Sequence, residues 1–442
     1  MDLRDFAVTP IFIILIYGIA YFIRPWMTDP VNRKYFFPAL TVKIIGAIAL
    51  GFIYQFYYTG GDTFNYHTYG SRIIWETFMD NPADGIRLWW NDKSPDLFQY
   101  SSRIIFYHDP NSFPLIRLAT FFDLLTFSTY SATALCFSFM SFLGMWYFFQ
   151  TFYELFPPMH KWFAIAAFFT PSVFFWGSGI LKDTIIMACL GFATFQIKRL
   201  FIDKRITLIS ALILLVSLII AFSIKKYVLL CFVPAVLFWI YSENLFRIKS
   251  FITRLILLPT ILVLTIFTGF YAIDKIGKND PRYALDRLAE TARITAYDIR
   301  YWTGKDAGSG YTLGELDGSF NSMLRLAPQA INVTLFRPYL WEVKNPLMLL
   351  SALESFVLFF VTILLFVFKP LNFIKTFSNP NILFCFIFSI TFAFAVGVAT
   401  FNFGTLVRYK IPMLPFFIVG LALIWNQLKR ERKFDLFEST QK

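Results

Sequence analysis

The sequence has little charge for its length. Asp, Glu, Lys and Arg make up 15% of the 442 residues, whereas soluble domains average about 25%. Hydrophobic residues reach 57% and aromatic residues 20%. Several apolar runs are long enough to cross a bilayer, which takes roughly 20 residues in a helix. The alternating segments of about 10 residues that are typical of a membrane β-barrel are missing. The sequence therefore predicts an all-α polytopic membrane protein.

Cysteine is scarce as well, and its placement excludes several chemistries. The four cysteines, Cys136, Cys189, Cys231 and Cys385, all fall inside apolar segments. None of them can staple an external loop, so no disulfide framework is implied. The sequence has no zinc-ligand spacing, phosphate-binding loop, nucleophile elbow or dinucleotide fingerprint. It therefore implies no cofactor and gives no support for a divalent metal.

The apolar runs predict about eleven transmembrane helices in one transmembrane domain, 1–442. We place them at 8–23, 37–58, 130–153, 160–176, 180–197, 206–223, 227–242, 255–273, 346–368, 381–400 and 409–427. The apolar stretch 115–127 is too short to cross a bilayer, so we expect a re-entrant or interfacial helix there.

The distribution of basic residues predicts the orientation. The connection 24–36, every second connection after it and the tail together carry eighteen Lys and Arg residues, and the short segments on the other side carry six. Positive residues favour the cytoplasmic side, which predicts an external amino terminus and a cytoplasmic carboxyl terminus. Two long loops, 59–129 and 274–345, then face outside. Most of the net charge of +12 is explained by this bias, so we expect no nucleic-acid partner.

The first candidate site is "GGDTFNYH", directly after the second predicted span. Asp62 there is a candidate catalytic base, because a carboxylate at the bilayer surface can accept a proton from an attacking hydroxyl. The alternative is that Asp62 caps a short following helix. Tyr66 and His67 lie on roughly the same helical face and are candidate substrate-binding residues. The alternative for both is an interfacial aromatic cluster.

The second candidate site is "WGSGILKDT". Lys182 and Asp183 open the fifth predicted span, and ionisable residues so close to the membrane core are costly and indicate function. Lys182 is a candidate ligand for the phosphate of a lipid, and Asp183 is a further candidate substrate-binding residue. A Lys182–Asp183 partnership, or snorkelling of the lysine, is the alternative. Asp123 and Glu354 are further costly acids in apolar surroundings.

Cationic residues near the last span form the third group. Arg408 and Lys410, in "GTLVRYK", enter that span from the outside and are candidate phosphate ligands, because arginine binds phosphate bidentately. The alternative is pairing of Arg408 with an acid such as Glu315 or Asp317. Arg337, in the second long loop, is a further candidate anion ligand, or else a positioning or solvated residue.

The pattern resembles the GT-C superfamily of integral-membrane glycosyltransferases. The residues that carry the resemblance are "GGDTFNYH", "WGSGILKDT" and "GTLVRYK", with the short helices of the first loop. Bacterial O-antigen polymerases are similar in layout. The resemblance implies transfer of a sugar or glycan from a polyprenyl-phosphate-linked donor to a glycan or protein acceptor outside the membrane. Lys182 and Arg408 would then hold the carrier phosphate, and Asp62 would accept the proton. The family's acidic loop usually follows the first span, and its frequent second acid is replaced here by Thr63.

Two other classes of function stay open. A lipid-linked glycan flippase or transporter predicts internal repeats and charges near the middle of the bilayer. A non-catalytic subunit of a membrane complex would tolerate loss of Asp62. The absence of disulfides and of a retention signal favours a bacterial inner membrane.

Overall fold

Helices make up most of the part of the chain that the structure describes. The computed structural model describes residues 3–245, 288–302, 309–368 and 375–440, with isolated positions between 260 and 287. Helix accounts for 81%, and no strand occurs in the described residues. Gly310 and Asn402 form an isolated bridge. The predicted all-α class is confirmed.

Twenty α-helices lie within the described ranges. They are α1 (Leu3–Met27), α2 (Arg33–Phe52), α3 (Asp62–Tyr66), α4 (Arg72–Asp80), α5 (Pro82–Trp89), α6 (Phe98–Ser101), α7 (Phe113–Thr126), α8 (Tyr130–Leu155), α9 (His160–Ala164), α10 (Pro171–Trp176), α11 (Lys182–Ile197), α12 (Leu208–Ile224), α13 (Lys226–Leu245), α14 (Leu288–Trp302), α15 (Phe320–Arg325), α16 (Ala327–Phe336), α17 (Pro346–Phe368), α18 (Pro380–Val398), α19 (Phe403–Tyr409) and α20 (Leu414–Thr440). Helices α2, α3, α9 and α11 continue into π-helical turns.

Seven of the described helices are long and apolar enough to cross a membrane. They are Leu3–Met27, Arg33–Tyr57, Tyr130–Leu155, Lys182–Ile202, Lys226–Leu245, Pro346–Val367 and Pro380–Val398. The pair Phe403–Tyr409 and Leu414–Lys429 adds an eighth if it is one span bent by 68°. Long apolar helices of this kind are typical of an integral membrane protein.

The remaining predicted spans differ from single straight helices. The stretch 160–176 is broken before Pro171, whose ring cannot continue the helical hydrogen bonds. The stretch 206–223 forms a helix of 17 residues, α12, and 409–427 includes the second half of the bent pair. The predicted span 255–273 lies outside the described residues except at isolated positions. The count of eleven and the sidedness of the loops stay predictions.

The chain divides into two compact units. The first comprises Met1–Thr151, Ala167–Gln196 and Leu208–Lys226, and the second comprises Phe152–Ala166, Ile197–Thr207 and Tyr227–Lys442. The predicted single domain stays a prediction.

An aromatic cluster forms the core of the first unit. The ring of Phe36 lies 5.0 Å from Phe142 and 4.8 Å from Trp146. Trp146 also stacks on Phe168 at 5.5 Å and donates its indole N–H to the Met27 carbonyl at 3.0 Å. These contacts hold α1, α2 and α8 together around large, fully buried rings.

Helices α8 and α11 of the first unit approach each other through small residues. A Cβ atom on Gly144 would lie 2.4 Å from backbone atoms of Ala188, and one on Gly191 would lie 2.0 Å from the Gly144 carbonyl oxygen. Small residues allow such close packing in membrane helices. This contact fixes α11, which begins with Lys182.

Aromatic rings also fill the core of the second unit. Trp239 stacks on Phe384 with ring centroids 4.4 Å apart and donates to the Asn381 side chain at 3.0 Å. Phe388 contacts Phe416 at 4.6 Å. These rings join α13, α18 and α20.

Candidate functional site

Asp62 lies at a tight glycine turn beyond the end of α2. Thr59, Gly60 and Gly61 have φ angles of 53°, 143° and 120°, a region that glycine adopts at low cost. A Cβ atom on Gly61 would also lie 2.9 Å from the Tyr54 ring. Gly61 is the N-cap of α3, and half-buried Asp62 is its first residue. The capping interpretation of Asp62 is therefore off by one position.

Tyr66 and His67, the predicted neighbours of Asp62, are buried. His67 is fully buried, with Nε2 3.4 Å from Asp123 Oδ1 and the ring edge-on to Tyr130 at 5.4 Å. Tyr66 packs its ring against Phe106 at 5.2 Å. Their burial favours a positioning role over contact with a solvent-borne ligand.

Asp123, which the sequence singled out as a costly acid, belongs to a buried polar network. Thr133 Oγ1 donates to Asp123 Oδ1 at 2.6 Å and lies 2.7 Å from Thr126 Oγ1. A second hydroxyl pair, Thr63 and Tyr130, lies 2.8 Å apart. Because buried polar groups need such partners, the first contacts join α7 to α8, and the Thr63–Tyr130 pair joins α3 to α8.

Lys182 and Asp183 contact different charged partners. Lys182 Nζ lies 3.8 Å from Asp109 Oδ2, and the lysine side chain is 18% exposed. Asp183 Oδ1 lies 2.5 Å from Lys225 Nζ, with exposures of 0% and 8%. A buried carboxylate needs such compensation. Asp183 is thus engaged inside the protein, whereas Lys182 keeps access to its surface.

Lys43 is a buried cation that the sequence reasoning missed. It lies near the middle of the second candidate span and is fully buried. Its ammonium donates to Ser141 Oγ at 3.0 Å, to the Gly177 carbonyl at 2.7 Å and to the Val173 carbonyl at 3.3 Å. The sequence alone could have singled out Lys43, because an ionisable residue inside a transmembrane run indicates function by default.

Arg337, in the second unit, is held by an acid and aromatic rings. It donates from Nε to both Glu342 oxygens, at 3.1 and 3.0 Å, and from Nη2 to Oε1. Its guanidinium lies 5.3 Å from the Phe403 ring centroid and 5.6 Å from that of Tyr311. Burial opposes ionisation of Glu342, but the bonds from Arg337 and the Tyr339 amide outweigh it and lower the pKa of Glu342. These contacts favour the positioning alternative for Arg337.

A hydrogen-bonded chain connects Arg337 with Lys410. Lys410 is fully buried at the break between α19 and α20, and its Nζ donates to Ser355 Oγ at 3.0 Å. Ser355 Oγ in turn donates to the Arg337 carbonyl at 3.2 Å. Arg408 is half-buried, and its guanidinium lies 5.1 Å from the Tyr409 ring. Two residues predicted independently, Arg337 and Lys410, thus meet through one serine.

The candidate residues divide between the two units. Asp62, Tyr66, His67, Lys182 and Asp183 belong to the first, whereas Arg337, Arg408 and Lys410 belong to the second. A cavity of about 480 Å³ in the second unit is lined by Phe156, Asn379, Asn426 and their neighbours, and by none of these residues. Among the described residues, no three His, Cys, Asp or Glu side chains are grouped so as to hold a metal ion.

Comparison with protein-family models, with curated proteins and with solved structures gives no match to this chain.

Proposed function

We propose that this protein is a membrane glycosyltransferase that acts on the extracytoplasmic face. It would transfer a sugar or glycan from a polyprenyl-phosphate-linked donor to a hydroxyl of a glycan or protein acceptor. Under this proposal the protein is GT-C-like, crosses the membrane about eleven times and lies in a bacterial inner membrane. The observation that carries it is Asp62, a half-buried carboxylate on a glycine turn directly beyond a membrane helix.

The proposed chemistry assigns two roles within the first unit. Asp62 accepts the proton from the acceptor hydroxyl as that oxygen attacks the anomeric carbon of the donor. The bond from that carbon to the carrier phosphate breaks, and Lys182 stabilises the charge on the leaving phosphate. The partial exposure of Lys182 supports this role, as does the half-burial of Asp62, because both side chains can meet a ligand. Arg408 and Lys410 stay predicted phosphate ligands, and Arg337 stays a predicted anion ligand with positioning as its alternative.

Substitution of Asp62 by asparagine tests the assignment. Because a positioned general base contributes about 10²–10⁴ in rate, Asp62→Asn should lower glycan transfer by that factor in proteoliposomes supplied with a polyprenyl-phosphate-linked sugar. Asp80→Asn is the matched control, since Asp80 is an exposed acid at the end of α4. Both variants should accumulate in membranes at the level of the unchanged protein. Equal transfer by the two variants would refute the role of Asp62.

A flippase or transporter of lipid-linked glycans is the second candidate. The observation that favours it is the set of buried ionisable groups in the first unit, above all Lys43 inside a candidate span. Transporters place such groups along the substrate path. This candidate predicts that the protein moves the labelled donor across the liposome membrane without forming a glycosidic bond.

A further inference from the structure

Lys43 is a buried membrane lysine whose ammonium contacts uncharged groups. The three hydrogen bonds of its ammonium go to uncharged oxygens of Ser141, Val173 and Gly177. An ammonium has three donors, so the site matches its full capacity. Two of the acceptors are main-chain carbonyls at α10, a helix of six residues. The last carbonyls of a helix lack helical partners, and Lys43 supplies a donor to them.

The face of α2 around Lys43 is fitted to the segment that follows α10. Gly46 lies one turn after Lys43, and a Cβ atom there would lie 2.4 Å from the Phe174 carbonyl oxygen. Leu50, one turn further on, lies so close to Gly179 that a Cβ atom on that glycine would be 2.4 Å from Leu50 Cδ2. Positions separated by three and four residues share one helical face. One face of α2 therefore contacts the segment from 173 to 179.

That segment leads into a buried turn, residues 177–181, which is not helical and in which every residue is buried. Irregular backbone in a membrane protein is tolerated only where protein or a hydrated cavity satisfies its polar groups. The turn leads directly into α11, whose first residues are Lys182 and Asp183. The position of the turn therefore sets the position of both side chains.

We propose that Lys43 is a positioning residue for the candidate site of the first unit. Its ammonium holds the 177–181 turn against α2 and thereby fixes Lys182 relative to Asp62, which follows the end of α2. The effect on the turn is independent of the chemistry that the protein performs. The effect on catalysis rests on the proposed transferase function.

Hydrogen exchange measured by mass spectrometry in detergent micelles tests the first part. Lys43→Met keeps the chain length but removes every donor, and it should speed exchange of the amides in 177–183 at least about tenfold, because hydrogen bonds to a charged group are lost there. Lys34→Met is the matched control, since Lys34 is exposed on the first turn of the same helix. Peptides from α16 and α18 should stay unchanged in both variants.

Lys43→Gln keeps two N–H donors and should give exchange between that of Lys43→Met and that of the unchanged protein. It also serves as the test variant if Lys43→Met fails to accumulate. Exchange in 177–183 within twofold of the unchanged protein in these variants would overturn the proposal, as would equal acceleration in every peptide.

Transfer kinetics test the consequence for the site. Because Lys182 is proposed to bind the donor phosphate, Lys43→Met should raise the KM for the lipid-linked donor, whereas a loss of folded protein would lower only the apparent kcat. An unchanged KM alongside faster exchange would overturn the positioning of Lys182. Absence of transfer by the unchanged protein would instead refute the proposed function, and the exchange result would still decide the role of Lys43 in the turn.

Discussion

The contact between α8 and α11 predicts a large effect from adding one methyl group. Gly191 lies so close to α8 that a Cβ atom would be 2.0 Å from the Gly144 carbonyl oxygen, and real Cβ contacts are essentially never shorter than 3.0 Å. A Cβ atom on Gly191 would thus lie about 1 Å closer than this limit allows, so the two helices must separate locally by about that distance. The obstructing atoms belong to the backbone, so no side-chain rotation relieves the overlap.

The expected cost of Gly191→Ala follows from this overlap. Overpacking in a tight core costs about 1–3 kcal/mol, and the backbone contact favours the upper half of that range. Gly18→Ala is the matched control, because a Cβ atom at Gly18 in α1 has no neighbour within 4 Å. In a helix, replacing glycine by alanine stabilises by roughly 0.5–1 kcal/mol where no clash arises. The two substitutions should therefore change stability in opposite directions.

The assay is unfolding of the purified protein by a denaturing detergent, followed by the fluorescence of its 11 tryptophans. Gly191→Ala should shift the midpoint to lower detergent fraction, and Gly18→Ala should raise it. Equal midpoints for the two variants would refute the close packing of α8 on α11.

Two further predictions concern ion pairs. Lys225→Met removes the cation that lies 2.5 Å from buried Asp183 and should lower the stability of the fold by about 3–5 kcal/mol. In the same detergent titration, the double variant with Asp183→Asn should recover most of the lost stability. A double variant as unstable as Lys225→Met would contradict the pairing. Arg337 lowers the folded-state pKa of Glu342, so the pair should stabilise the fold above the unfolded pKa of about 4.3 and lose that stability as pH falls through the lower folded value. Glu342→Gln should weaken this acid dependence in melts between pH 3 and 7, whereas the exposed Glu315→Gln should retain it; equal profiles would contradict the prediction.

The sequence was sufficient to predict the class of fold. Long apolar runs with few charges predicted α1, α2, α8, α11, α13, α17 and α18 to within a few residues, because burial in lipid requires helices of a minimum length. Prolines also lie at two of the breaks in the helices. Pro171 begins α10, and Pro412 lies at the bend between α19 and α20. Neither signal gives the angle of a bend, which depends on the packing of neighbouring helices.

Partnerships between distant residues could not be predicted in this way. Asp183 was expected to pair with the adjacent Lys182 or to bind a ligand, but it contacts Lys225, 42 positions later. His67 likewise lies beside an acid that is distant in the sequence, Asp123. A single sequence carries no information on which of several acids meets which cation across a fold. Lys43 differs from these residues, because a lysine inside an apolar run is visible in the sequence itself.

Burial separates the two candidate functions further. A transport path requires its ionisable groups to meet the moving substrate or solvent, whereas Lys43 donates all its hydrogen bonds to fixed oxygens of the protein. Asp183 is fully buried against Lys225. Of the candidate site residues in the first unit, Asp62 and Lys182 are partly exposed, and they are an acid and a cation of the kinds that proton abstraction and phosphate binding need. Buried charges that hold elements in place, together with accessible charges that could meet a ligand, are what the proposed transferase requires.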